Sequence, residues 1–488
     1  MKIRKKLSTE TPETLQTLLD LSGRPADLRF FTNGPDKSLW VIYLKSLIAP
    51  EKYQDLLNWF APDNLVASGL PAVATGNQTL QVHTDLKEAV AQLLAGRMLI
   101  IKSGQPDVYS LDVQGWLKRA PQEPQTERLI RGPREGFVET LDDNLGMIRR
   151  WIQDPQLKVE EIRLGRRTQT RVALVYLADI TQPRLVNEVN RRIKAIDIDG
   201  LLESGYLEQL ISDRRASFFP LTQATERSDK VAAAILEGRV AILVDKSPAA
   251  VIVPTTINEM YQTPEDYYYS FWLGSFLRLI RLIGNNLAVV LPGLYIALVA
   301  YHSELLPTQL LLSIAGTASR VPLPIIAELL LMEIIVEIFR EAGLRLPGAV
   351  GQTLGVVAGI VLGLSAVQAG FVSPATLGVT AVTAIASFSG PNYAVGITWR
   401  LLKFVMMFAA AIIGLYGIIL SGMLILFHAA DVKSFGVSYL APWAPLQWNE
   451  LLDGPVRKPF WARIYRPETY RPREERRSGM TKQEDDRR

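Results

Sequence analysis

Apolar and polar positions divide the chain into three blocks. Up to about residue 275 charged and apolar residues are mixed; from 282 to 428 Leu, Ile, Val, Ala and Gly dominate; after 431 the chain is polar and basic again. This pattern predicts a membrane region between two aqueous ones. Within the first block, apolar runs such as RVALVYL (171–177) and VAILV (240–244) alternate with helical patterns. Such runs suit central strands buried on both faces by helices.

The first block reads as a duplication. WVIYLKSLIAPEKYQDLL (40–57) and VALVYLADITQPRLVNEV (172–189) each give an apolar strand with Tyr-Leu, a short loop with Pro, and a helical pattern. AVAQLLAGRMLIIKSGQPDVYSL (89–111) and AAAILEGRVAILVDKSPAAVIV (232–253) each give a helix ending at Gly-Arg, a buried strand, a turn and another strand. Tyr43 thus aligns with Tyr176, and Gly96 with Gly238. Glycine suits the left-handed residue just past a helix end. Two matching pairs in the same order are stronger than either alone. The expected fold is a multi-domain integral membrane protein, with a duplicated α/β cytoplasmic region followed by an α-helical transmembrane bundle. Its parts are an α/β subdomain over 1–125, a second over 131–265, a helical transmembrane domain over 275–430, and a basic cytoplasmic tail over 431–488. PQEPQTER (121–128) reads as the linker between the subdomains.

In the apolar block, 282–301, 350–372, 375–397 and 404–428 approach or exceed the roughly 20 residues needed to cross the hydrocarbon core. Asn285, Asn286 and Pro292 lie in the first of these. The stretch 305–345 is interrupted by Arg320, Pro322 and Pro324 and then carries four Glu. If both chain ends face the cytoplasm, the crossings are even in number. With 305–339 counted as one segment there are five candidates, so one does not cross; the Glu-rich segment is the first choice and 375–391 the second. Glu333, Glu337 and Glu341 lie along one helical face with Arg345, while Glu328 stands about 140° away. Carboxylates facing lipid are costly. The stripe therefore predicts a vestibule, a subunit contact, or an interfacial helix with Glu341 paired to Arg345. Gly351, Gly355, Gly359 and Gly363 recur every fourth residue and predict a smooth helix-packing face. Thr376, Thr380, Thr383 and Ser387 put hydroxyls on one face, where they line a polar pore or bond back to a helix.

The remaining composition mostly excludes. The 488 residues contain no cysteine, and His83, His302 and His428 are far apart. Disulfides and thiolate chemistry are therefore ruled out. The net charge of +4 gives little reason to expect nucleic-acid binding. No phosphate-loop or dinucleotide motif, no HExxH spacing and no Ser/His/Asp signature occurs, so neither an enzyme nor a cofactor is expected. Glu203, Glu208 and Asp213 read as solvated helix faces. The start, MKIRKKLSTETPETLQTLLD, lacks an apolar core and is not an export signal. Arg278 and Arg281 ahead of the first span agree with a cytoplasmic N-terminal region. RGPREGF (131–137), with Arg131, Gly132, Pro133, Arg134, Glu135 and Gly136, makes a rigid charged turn. It fits an anion or partner contact at a domain junction, or an ordinary turn entering the second subdomain.

RGPREGFVETLDDNLGMIRR (131–150), EIRLGRRTQTRVALVYLADI (161–180) and LEGRVAILVDKSPAAVIVP (236–254), with RLIRLIGNNLAVVLPGLYIALVAYH (278–302), SRVPLPIIAELLLMEIIVEIFREAGLRLP (319–347) and VSPATLGVTAVTAIASF (372–388), carry a resemblance. Over roughly 130–470 the chain resembles the A subunit of GerA-type spore germination receptors, a family with a stage V sporulation AF-like branch. The resemblance implies a place in the inner membrane of a bacterial spore. It also implies partnership with a transporter-like B subunit and a lipoprotein C subunit, and a homo-oligomer that forms the ion-release path of germination. Two other readings stay open. One is a membrane-anchored scaffold or accessory germination protein with a cytoplasmic small-ligand module. The other is a secondary transporter, for which inverted repeats are missing.

Overall fold

The computed structural model describes residues 11–32, 39–48, 80–112, 123–124, 127–345, 363–390, 392–451 and 453–477. The N-terminal half holds two five-stranded sheets. The first contains β1 (Leu28–Thr32), β2 (Leu39–Leu44), β3 (Gln81–His83), β4 (Met98–Lys102) and β5 (Val108–Leu111), in the spatial order β1-β2-β4-β5-β3. The second contains β6 (Leu157–Leu164), β7 (Thr170–Leu177), β8 (Gln223–Thr225), β9 (Val240–Val244) and β10 (Ala250–Val253), in the order β6-β7-β9-β10-β8. Adding five to each strand number converts one order into the other. Every adjacent pair in both sheets is antiparallel.

Helices α1 (Thr11–Leu21) and α2 (Leu86–Leu94) cover the first sheet; α3 (Leu141–Trp151), α4 (Pro183–Lys194), α5 (Ser204–Ile211) and α6 (Ser228–Leu236) cover the second. Tyr43 and Tyr176 both fall on the second strand of their sheets. Gly96 and Gly238 both follow the helix before the central strand, at φ 95° and 90°, where a side chain would strain the backbone. Alternate residues of β7 and β9 serve opposite faces. Ala173, Val175, Ala241 and Leu243 pack with α3 and α6, whereas Val172, Leu174, Val240 and Ile242 pack with α4 and α5. Burial on both faces explains the unbroken apolar runs, and each large aliphatic side chain so buried contributes roughly 1.5–3 kcal/mol. The strands nevertheless pair antiparallel, because burial rather than strand direction sets that composition.

The two sheet units abut. Arg149 of α3 donates from Nε to Asp27 at 2.8 Å, and both side chains are buried. Lys45 Nζ reaches Asp142 at 2.8 Å, and Asp142 also accepts from Arg171. Of the expected linker, Glu127 is held by Lys230 at 2.7 Å.

After β10, α7 (Ile257–Tyr261) and α8 (Glu265–Tyr268) lead into α9 (Phe271–Ile296), which contains Pro292 and continues as a π-turn to Tyr301. Then follow α10 (Thr308–Ala318), α11 (Ile325–Arg345), α12 (Pro374–Ser387), α13 (Tyr393–Ile413) and α14 (Leu415–Asp431). Among the described residues, two helices are long and apolar enough to cross a membrane, Phe271–Tyr301 and Ala394–Ile413; α10, α12 and α14 are apolar but shorter.

Three expected segments differ. The apolar run 404–428 is not one helix: Gly414 at φ 60° ends α13 and begins α14. The run 375–397 breaks after Ser387 and restarts at Tyr393, with the Asn392 side chain capping Ala394 N at 2.9 Å. The stretch 305–339 is two helices, parted where Pro322 and Pro324 interrupt the backbone ladder. Gly351, Gly355 and Gly359 lie outside the described residues. Gly363 faces α12, with Leu377 3.8 Å from where its Cβ would be.

The described residues between 432 and 477 pack back on the second sheet unit. Ser434 Oγ donates to Leu221 O at 2.7 Å and accepts from Thr255 N at 3.0 Å. Arg473 N donates to Ile180 O at 2.7 Å, and Tyr470 is buried.

Candidate functional site

Five charged side chains from α11 and α13 meet among apolar helices. Lys403 Nζ donates to Glu333 Oε2 and lies 3.4 Å from Glu337 Oε1. Arg400 Nη1 reaches Glu337 Oε2 at 3.1 Å. Arg340 Nη1 reaches Glu337 Oε1 at 3.1 Å, and its Nη2 donates to Ser387 Oγ at 2.6 Å. Only 1% of Glu333 and 4% of Lys403 is exposed, so this pair is withdrawn from solvent. One turn earlier, the fully buried Glu328 accepts from Ser373 N at 2.9 Å and from Thr376 Oγ1 at 3.0 Å. Among the described residues, Glu328 Oε1, Glu333 Oε1 and Arg340 Nε are buried without a hydrogen-bond partner. Buried polar atoms left unpaired cost about 1–3 kcal/mol each, more when charged.

The stripe read from the sequence is therefore split. Glu333 and Glu337 turn inward to cations, whereas Glu341 is exposed and pairs with Arg345 one turn on. Thr376, Thr380 and Thr383 are buried and Ser387 is half-buried. Thr380 Oγ1 bonds to Thr376 O at 2.9 Å, Thr383 Oγ1 to Val379 O at 2.8 Å, and Ser387 Oγ to Ala384 O at 2.7 Å. Thr376 instead joins the Glu328 cluster and lies 3.3 Å from Tyr295 OH. Asn285 approaches Ser389 at 3.4 Å. Sequence reasoning missed Lys403 and Arg400, although two cations inside an apolar helix are a signal of their own.

A second cluster joins the sheet units to α9. The fully buried Asp266 of α8 accepts from Arg278 Nε at 2.9 Å and from Arg281 Nη2 at 2.5 Å, so both arginines are ion-paired. Arg457 donates to Tyr269 O at 2.7 Å. The 131–137 turn packs at the same junction. Arg131 N donates to Glu265 at 3.2 Å, and its guanidinium lies 5.8 Å over the Tyr269 ring. Pro133 O accepts from Arg227 at 2.8 Å, Glu135 pairs with Arg150 at 3.2 Å, and Gly136 bridges to Arg227. Gly132, at φ 138°, lies against Tyr268, whose ring would be 2.7 Å from an added Cβ. Tyr268 in turn donates to Asp229 at 2.6 Å. Arg134 is exposed on this turn.

Glu203 and Asp213 are exposed and Glu208 is half-buried, and each has a partner. Glu203 caps α5 and accepts from Ser247 at 2.8 Å, Glu208 accepts from Thr222 at 2.6 Å, and Asp213 binds Arg192 at 2.6 Å. Burial pushes the Glu208 carboxyl above its usual range. No group of three or more metal-ligating side chains occurs among the described residues.

A duplicated antiparallel α/β region fixed to apolar helices that bury charge defines a class of proteins by architecture rather than by activity. Within that class, the chain belongs to the GerA family: the model of the Bacillus/Clostridium GerA spore germination proteins matches residues 15–469. Spore germination protein KA of Bacillus subtilis (strain 168) is 42% identical over 379 residues, 78% of this chain and 70% of that one. Spore germination protein GerLA of Bacillus cereus is 41% identical over 398 residues, 80% of this chain and 81% of its own. The uncharacterized membrane protein YfkQ of Bacillus subtilis (strain 168) is 35% identical over 471 residues, 95% of this chain and 92% of that one. A solved structure, the N-terminal domain of the A subunit of the Bacillus megaterium spore germinant receptor GerK3, is 30% identical. It covers 51% of this chain and 97% of its own, with a TM-score of 0.40.

Proposed function

We propose that this chain is the A-type subunit of a germinant receptor in the spore inner membrane, and that its copies assemble around an ion-release path. The N-terminal sheet units and the segment beyond 431 face the cytoplasm, and the helices between 275 and 430 form the transmembrane bundle. A transporter-like B subunit and a lipoprotein C subunit complete the receptor, and the nutrient reaches this chain as a shift between closed and open assemblies. The chain binds and conducts; it is not an enzyme.

The observation that carries this reading is the buried Glu333–Lys403–Glu337–Arg400 network. Ionisable groups inside apolar helices are expensive and mark ion or proton pathways by default. The unpaired carboxylate oxygens of Glu328 and Glu333 are where a cation or water would find ligands. The buried hydroxyls of Thr376, Thr380 and Thr383 continue that polar strip along α12.

Ion flux through the purified full chain in liposomes tests it, with the B and C subunits added in a parallel set. Flux that Thr383→Trp abolishes at unchanged insertion supports the path. Flux that is absent with all three subunits present and correctly inserted overturns it.

A further inference from the structure

A cavity of about 370 Å³ lies where three separate pieces of chain converge. One wall is α6 with Glu237 beyond it. The second is the segment from Glu259 to Tyr268 that leads into α9. The third is the returning C-terminal segment, from Phe460 to Arg477. Its volume falls within the range of small-molecule sites, roughly 300–1,000 Å³.

The lining has two characters. Ala233, Leu236, Phe460 and the rings of Tyr267 and Tyr268 make it largely apolar. Around them stand five cationic side chains against three carboxylates. Two of the cations share a single acceptor atom: Arg477 donates to Glu237 Oε1 at 2.9 Å and Arg463 to the same oxygen at 3.2 Å. Arg466 spends its Nε on Leu236 O at 2.9 Å and its Nη1 on backbone carbonyls. Guanidinium groups present a planar fork that matches a carboxylate or phosphate with two parallel bonds. From outside the lining, Glu127 pairs with Lys230, Asp453 with Arg463 and Glu474 with Arg466, so each of the five cations has a carboxylate partner, and Arg463 and Arg477 divide Glu237 between them.

We infer that this cavity binds a small organic anion with an apolar body, held by Arg463 and Arg477, and that its occupancy stiffens the link between the second sheet unit and α9. The apolar walls take the body, and the guanidinium nitrogens of Arg463 and Arg477 that Glu237 does not occupy take the acid group. The occupant touches Tyr267 and Tyr268, one residue and two residues from buried Asp266, which anchors Arg278 and Arg281 of α9. It also touches the C-terminal segment that carries Arg463 and Arg477. Binding therefore adds a further cross-link among three segments already joined by the Tyr268–Asp229 and Arg466–Leu236 hydrogen bonds and by the Arg463–Glu237 ion pair. The site lies outside the apolar helices, and the inference stands whether or not those helices conduct.

The test is equilibrium dialysis of the full-length chain in nanodiscs of neutral lipid against 2-naphthoate, with uptake by empty nanodiscs subtracted. 2-Naphthamide supplies the same body without charge, and inorganic phosphate supplies charge without the body. Saturable binding of 2-naphthoate alone is expected. Arg477→Gln should weaken it by about tenfold, the order of one charge-assisted hydrogen bond. Ala233→Trp, at an exposed position of α6, should abolish it by filling the cavity while leaving the fold intact. Three outcomes would overturn the inference: no saturable uptake, binding of the amide as tight as that of the acid, or Ala233→Trp binding like wild type.

Discussion

Lys403 holds two carboxylates from a helix 70 and 66 residues away in sequence. Its removal leaves Glu333 charged, buried and unpaired. Breaking one partner out of such a pair costs about 3–5 kcal/mol, whereas replacing both by apolar or neutral groups is often nearly neutral. Lys403→Met is expected to lower the thermal unfolding midpoint of the purified chain, and Glu333→Gln in the same chain to restore most of the loss. If the double variant unfolds as early as the single one, the pair is not what Lys403 contributes. Glu237 makes a second residue-scale case, outside the apolar helices. Burial pushes its carboxyl up, but the charges of Arg477 and Arg463 outweigh that and hold it below the usual Glu value of 4.5. A depressed carboxyl contributes stability above its unfolded value and loses it as pH falls through the folded one. Docking of the C-terminal segment should therefore loosen on acidification below about pH 4.5. Glu259 works in the opposite sense, because burial holds it above its usual value. Limited proteolysis across pH measures the outcome: cleavage within 457–477 should rise on acidification, and Glu237→Gln should show high cleavage already at neutral pH.

At the scale of elements, Gly414 decides whether the last apolar run is one helix or two. Its φ of 60° and ψ of −137° reverse the chain between α13 and α14, and an added Cβ would sit 2.9 Å from Tyr301 Cβ. Gly417 brings the two helices together, since a Cβ there would meet the Ala409 backbone. Neither feature is visible in hydropathy, which registers only that 404–428 is apolar. Gly414→Leu is expected to destabilise the hairpin by more than the ~1 kcal/mol of an ordinary left-handed penalty, because a clash adds to it. A cysteine pair across α13 and α14 reports it: cross-linking efficiency should fall in the variant. The strands were easier to read than the helices. A run such as VAILV carries the mark of burial on both faces in its own composition. Antiparallel pairing leaves no comparable mark.

Across the whole molecule, the C-terminal segment works as a clasp. It contacts the second sheet unit through Ser434, Tyr470 and Arg473, and it contacts the start of α9 through Arg457, whose backbone N–H donates to Ser275 Oγ at 3.1 Å. Stopping the chain at residue 452 should expose the Glu237 wall and release the N terminus of α9. The expected outcome is an earlier unfolding of the sheet region, followed by circular dichroism, with the apolar helices still inserted. An unchanged unfolding midpoint would mean that the clasp adds no stability. The sequence suggested a basic tail there because its arginines stand out locally, whereas their acceptors, Glu237 and the carbonyls of Leu236 and Ile180, lie more than 200 residues earlier.

What the sequence determined by itself is what local geometry writes into it. Apolar runs, helix-end glycines and the repeated order of elements follow from backbone periodicity and burial, which act over a few residues at a time. They revealed the α/β duplication, the apolar block and the family. The tertiary structure alone decided which charges meet: Glu333 with Lys403, Asp27 with Arg149, Asp266 with Arg278, and Glu237 with Arg463 and Arg477. A charge's partner is chosen by how distant segments pack, and no local pattern records it. The same holds for the cavity beside α6, whose three walls are adjacent only after folding.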